Sequence, residues 1–169
     1  MKIDSPHTKF LVDEFNSNKA VAFIIEYPTA SQKAFSLINN INDYLASHPI
    51  NEISLYVEHR FLPVEVPCCA IFHTLELCDF FGSLVATTVA TWRRGDYSDR
   101  SKKYLYVYDI VEFMNERGTH QAIKNSPTVV FTRNAEYKKI IESTGISVHN
   151  ILVPECEIDL IMQILEIYG

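Results

Sequence analysis

KAVAFIIEYPTASQKAFSLINNINDYLASHPINEISLYVEH, residues 19–59, reads as one strand–helix–strand unit. Residues 19–27 form an unbroken apolar run that ends on Glu26 and Tyr27, the pattern of a strand buried on both faces. From 29 to 48 the apolar residues Ala34, Leu37, Ile38, Ile41 and Leu45 recur at helical spacing, with Thr29 or Ser31 placed to cap the first turn. Residues 52–59 return to a strand pattern. A two-face-buried strand, a helix and a second strand imply a parallel pair joined by a crossover.

The same alternation continues along the chain. Strands are predicted at 68–74, 82–88, 102–109, 128–133 and 148–153. Between them come a short helix over 75–81, a helical turn and loop from Val89 to Ser101, a helix over 111–126 broken or ended near Gly118, and helices over 134–145 and 157–169. Asn134 suits an N-cap and Gly145 the residue that closes the same helix. A leading helix over 6–17, PHTKFLVDEFNS, is expected to pack on one face. No linker or repeat divides the chain. The expectation is one α/β domain over 1–169, a three-layer α/β/α sandwich around a mostly parallel sheet of six to seven strands. A chain of this length buries roughly 70% of its unfolded surface.

Composition narrows the function classes. No apolar run reaches the ~18 residues of a membrane helix. The N-terminus carries Asp4, Asp13 and Glu14 where an export signal needs an apolar core, so a reducing, cytoplasmic setting is expected and no membrane partner. In such a setting Cys68, Cys69, Cys78 and Cys156 are expected as free thiols. Cys68, Cys69, His73 and Cys78 fall close together, but if 68–74 is a strand the two adjacent cysteines point to opposite faces and cannot share an ion; no metal is expected. The net charge of −6 opposes general binding to a phosphate backbone. One stretch, RRGDYSDRSKK over 93–103, runs the other way: Arg93, Arg94, Arg100, Lys102 and Lys103 against two acids make it the candidate surface for an anion or nucleic acid, or a solvated loop.

In open parallel sheets ligands lie beyond the carboxyl ends of the strands. The residues to inspect are Glu26 and Tyr27, Glu58, His59 and Arg60, His73 and Thr74, Thr87 and Thr88, Asp109, and Thr132 and Arg133. His73 and Asp109 are the candidate catalytic groups, and Glu26, Thr87, Thr132 and Arg133 the candidate ligand contacts. Each catalytic candidate also has a structural reading: His73 as a hydrogen-bonded strand-end residue, Asp109 as the cap of the helix that begins near Val111. The tyrosines Tyr104, Tyr106 and Tyr108 alternate with Leu105 and Val107, so one sheet face carries their rings. The five glycines form neither G-x-G-x-x-G nor a phosphate loop, and the first strand-to-helix turn, EYPTAS, holds a proline and no glycine. G-x-S-x-G and H-E-x-x-H are missing too. These absences count against NAD enzymes, P-loop NTPases and α/β-hydrolases, and no cofactor is expected.

GSLVATTVATWRRG (82–95), KKYLYVYDIVEFM (102–114) and SPTVVFTRNAEYKKIIESTGISVHNILVPECEID (126–159) together resemble the N-terminal, Rossmann-like half of phage glycosyltransferases of the two-domain GT-B arrangement. The matching positions are Ala86 and Thr87, Tyr106 through Asp109, Thr132, Arg133, Glu136 and Tyr137, and Val153–Pro154. The resemblance implies a Rossmann-like fold and an acceptor-side role, in a host cytoplasm if the chain is phage-encoded. In that family a second domain grips the nucleotide-sugar, and this sequence has no segment to assign to it. Three functions stay open: a non-enzymatic half-domain that binds a protein partner or small ligand, the acceptor-side subunit of a split glycosyltransferase completed by a partner chain, or a small self-sufficient α/β enzyme.

Overall fold

The computed structural model describes residues 20–28, 31–49, 51–59, 65–98 and 101–168. The expected helix over 6–17, and Thr29, Arg60 and Arg100, lie outside them.

Among the described residues six strands form a single sheet: β1 Val21–Ile25, β2 Ile53–Val57, β3 Ala70–His73, β4 Ser83–Ala86, β5 Lys102–Val107 and β6 Val129–Thr132. Their order is β3-β2-β1-β4-β5-β6 and every pairing is parallel. This is the Rossmann-like doubly wound order, with the direction of travel reversing between β1 and β4. Register at the reversal pairs Phe23 with Val85 and Ile24 with Ala86.

Helix α1, Gln32–Ser47, starts at Ser31, whose hydroxyl accepts the Ala34 N–H at 3.1 Å. It buries Leu37, Ile38 and Ile41 against Phe23, Ile25, Leu55 and Val57 on one face of the sheet. Helix α6, Ile158–Tyr168, joins the same face through Ile161, Ile164 and Leu165, beside Tyr106 and Phe131. The opposite face is covered by α2 (Val89–Arg94), α3 (Ile110–Asn115), α4 (Arg117–Asn125) and α5 (Ala135–Ser143). There Trp92, Phe113, Ile123 and Ile141 pack on Ala86, Leu105, Val107 and Val130. Right-handed crossovers require this division, because β1→β2 and β4→β5 run in opposite directions along the sheet. Farther along that second face, the 3-10 turn Thr74–Asp79 lays Leu77 over Ala22, Ile24 and Tyr56.

Several expectations change in detail. Residues 148–153 do not form a seventh strand; they make one bridge, Val130 with Val148, and two isolated hydrogen bonds to β6. His149 is the cause: its Nδ1 accepts the Ile151 N–H at 3.1 Å, turning the chain out of the ladder. The 111–126 helix breaks at Glu116, between α3 and α4, two residues before Gly118, whose surroundings are open. Cys68 and Cys69 precede β3 rather than lying in it, so strand alternation says nothing about whether they converge. Asn134 and Gly145 do cap α5, the glycine at φ 85°.

β3 is an edge strand of four residues with Ile71 exposed. Gly82, entering β4 at φ 140°, lies against the carbonyl of Ala20, which enters β1; a Cβ there would stand 2.3 Å from that oxygen.

Candidate functional site at the sheet reversal

At the reversal β1 and β4 diverge into helices on opposite faces, which opens a crevice at their carboxyl ends. Glu26 follows β1 directly and Thr88 follows β4 by two residues. Thr88 caps α2 through a reciprocal clasp: its hydroxyl accepts the Thr91 N–H at 3.0 Å, and the Thr91 hydroxyl accepts the Thr88 N–H at 3.0 Å. The Thr91 hydroxyl donates to the Thr88 carbonyl at 3.0 Å, which leaves the Thr88 proton for Glu26 Oε1 at 3.3 Å. The cap thereby orients Glu26.

Two further groups close the crevice from either side. Lys33, in the first turn of α1, reaches Glu112 of α3, with Nζ–Oε2 at 3.3 Å. Burial pushes the Glu112 carboxyl above its ordinary value; Lys33 opposes that rise, and the charges of Glu26 and Asp109 add to it. The resulting cavity has a volume of about 380 Å³ and is lined by Ile25, Glu26, Tyr27, Ser31, Lys33 and Glu112. At its mouth the Tyr27 ring stacks on His59, centroids 4.6 Å apart. The site thus offers carboxylate acceptors, one ammonium and an aromatic ledge. Its excess of acid disfavours phosphate and suits hydroxyl or amine donors. Among the described residues no group of three or more His, Cys, Asp or Glu side chains is arranged to hold a metal ion, and no helix is long and apolar enough to cross a membrane.

The other sequence candidates fall elsewhere on the rim or inside the fold. Asp109 caps α3, its Oδ1 accepting the N–H groups of Val111 at 2.8 Å and Glu112 at 3.3 Å. His73 caps the 3-10 turn: its Nδ1 accepts the Leu75 N–H at 3.1 Å, while Glu76 accepts the His73 N–H at 2.8 Å. The two stand at the carboxyl ends of β3 and β5, four strand intervals apart, or about 19 Å. They share a rim and no cleft. Thr87 donates to the Ile24 carbonyl at 3.0 Å and Thr132 to the Val107 carbonyl at 2.8 Å, both buried. Arg133 lies over the Tyr108 ring at 4.2 Å, donates to the Pro154 carbonyl at 2.6 Å and pairs with Glu155, closing the β5–β6 end of the rim. Of the four candidate ligand contacts, only Glu26 faces the crevice.

The basic stretch is largely balanced by acids. Arg93 pairs with Glu116 at 3.3 Å, Arg94 with Glu58 and Lys103 with Asp96. Lys102 is exposed at the start of β5, with no ion pair among the described residues.

Lys33 and Glu112 were not singled out from the sequence. One signal was present: a lysine in a helix's first turn opposes the helix dipole, and such a placement asks for a reason. No family model, curated protein or solved structure matches this chain.

Proposed function

We propose that this chain is a Rossmann-like half-domain of the glycosyltransferase kind that works by binding rather than by turnover, holding a polyhydroxylated small ligand, such as a sugar, in the crevice at the sheet reversal. One observation carries the reading: Glu26 and Glu112 flank Lys33 in that crevice, whereas the two candidate bases, His73 and Asp109, are each engaged in a helix cap. Carboxylates that accept, an ammonium that donates and an exposed aromatic edge match the alternating hydroxyls and apolar face of a sugar ring. The acid excess and the absence of a glycine loop count against a pyrophosphate held by this half alone. A neighbouring protein that contributes the remainder of a binding surface accords with the same reading.

The test is an NMR titration of the chain with neutral monosaccharides and with nucleotide-sugars, alongside a turnover assay. Shifts at Glu26, Lys33 and Glu112 without consumption of nucleotide-sugar are expected. Turnover by the isolated chain that collapses in Asp109→Asn or His73→Gln would overturn the proposal in favour of an enzyme.

A further inference from the structure

The largest cleft among the described residues is not on the rim. It has a volume of about 1090 Å³ and lies at the amino end of the sheet, beside the edge strand. Leu45, Tyr56, Phe72, Phe80 and Phe81 give it an apolar, largely aromatic wall. The Tyr56 ring stacks on Phe72, centroids 5.3 Å apart, and meets Phe80 edge-on at 5.8 Å. Glu52, Glu76 and Asp79 line the cleft too, and among the described residues no lysine or arginine does. Elsewhere Glu58, Asp96, Glu112 and Glu155 each pair with a lysine or arginine, whereas Glu52 and Asp79 are exposed and have no ion pair among the described residues. Tyr56 is an independent sign of a missing partner. It is only 5% exposed, yet its hydroxyl has no hydrogen bond among the described residues, although a buried tyrosine ordinarily finds one. Burial, and after it the charges of Glu76 and Asp79, make this phenol harder to ionise than usual, so near neutral pH it is an uncharged hydroxyl in the field of two carboxylates.

We propose that the cleft binds a small organic amine, whose apolar body lies on Tyr56, Phe72 and Phe80 and whose ammonium donates to the Tyr56 hydroxyl under the attraction of Glu52 and Asp79. An apolar wall with a few polar groups converging on it is the usual make-up of a small-molecule site. Aromatic faces attract a cation within about 6 Å of the ring centroid, and a carboxylate-lined cleft that draws cations repels anions for the same reason. A neutral occupant would leave Glu52 and Asp79 without a counter-charge. The ligand therefore differs from the one at the sheet reversal, where Glu26, Lys33 and Glu112 offer both acceptors and a donor, and the two proposals stand or fall separately.

Titration of the full chain with phenethylamine, 2-phenylethanol and 3-phenylpropionate tests it, because the three share one ring and differ in the charge of the head. Protein NMR locates each ligand and gives its Kd. Shifts are expected at Tyr56, Phe72 and Phe80, with the amine bound about tenfold tighter than the alcohol and the acid weakest. Glu52→Gln/Asp79→Asn, at two exposed positions, should erase that preference by weakening the amine while the alcohol keeps its affinity. Tyr56→Phe should weaken the amine about threefold. Equal affinities for amine and alcohol in the intact chain would overturn the proposal. So would no saturable binding of the amine at millimolar concentration, shifts confined to Glu26, Lys33 and Glu112, or an amine affinity unchanged in either variant. A dimer in sedimentation that excludes the amine would overturn it as well, by making the occupant a second copy.

Discussion

The Tyr106 hydroxyl donates to the Val153 carbonyl at 2.6 Å and accepts the Cys156 N–H at 3.3 Å, so one buried phenol anchors the chain between α5 and α6 to the sheet. Tyr104, two residues earlier on the same face, is its counter-example. Its hydroxyl is buried without a hydrogen bond among the described residues, and burial makes it harder to ionise than an ordinary phenol, an effect that nearby Ser83 opposes only in part. Tyr106→Phe should therefore destabilise the fold by about 1–3 kcal/mol, because two backbone groups lose their partner. Tyr104→Phe should be neutral or slightly stabilising. Urea denaturation of the two variants reads the contrast directly.

Gly82→Ala places a Cβ against the Ala20 carbonyl at a φ that L-residues rarely adopt, and so forces β1 and β4 apart where they start. A loss of several kcal/mol is expected. Gly118→Ala, in α4 with open space around it, should gain about 0.5–1 kcal/mol. Thermal melting of both proteins checks the pair.

Asp109 distinguishes a cap from a catalyst. Asp109→Ala removes the acceptor for two N–H groups of α3 and should cost about 1 kcal/mol, while Asp109→Asn, itself a good cap, should restore most of it. Ligand binding should survive in the asparagine variant. Denaturation and ligand titration on both variants measure this.

Glu112 holds its proton more tightly in the folded protein than in the unfolded chain, with burial the main cause. Its contribution to stability is therefore fully present below the ordinary glutamate value of about 4.3 and is lost as pH rises through the higher folded value. Lys33→Met removes the opposing ammonium, so the carboxyl should titrate higher still and the loss should extend to higher pH. Carbon-detected NMR titration of the Glu112 carboxyl, with melting temperature followed against pH, tests the sign.

Burial pushes the Cys156 thiol up to about 12, whereas Cys78 is exposed. Near neutral pH, Cys78 should alkylate while Cys156 stays inert until the protein is denatured, since only the thiolate reacts. Peptide mapping after timed labelling gives both rates.

The layered fold was legible because its signals are local. The unbroken run before Glu26, the helical spacing from Ala34 to Leu45 and the acid before Val111 each speak within one element. The seventh strand failed for an equally local reason that hydropathy does not register, a histidine side chain taking a backbone N–H two residues on. The site was only half legible. Strand ends pointed to Glu26, but Lys33 and Glu112 are 79 residues apart and meet only because α1 and α3 begin on opposite sides of one crevice. Thr132 and Arg133 looked like ligand contacts because polar residues at a strand end look alike in sequence; the buried carbonyl and the Glu155 carboxylate they bind are visible only in three dimensions.

Among the described residues β3 has no strand on its outer side, and an open strand is a template on which further chains can stack. Here the template is short, and the last amide of the strand, that of His73, is already held by Glu76. A strand added at this border would find few donors and no smooth continuation past the 3-10 turn. The arrangement resists fibre growth by giving an incoming neighbour too little to grip.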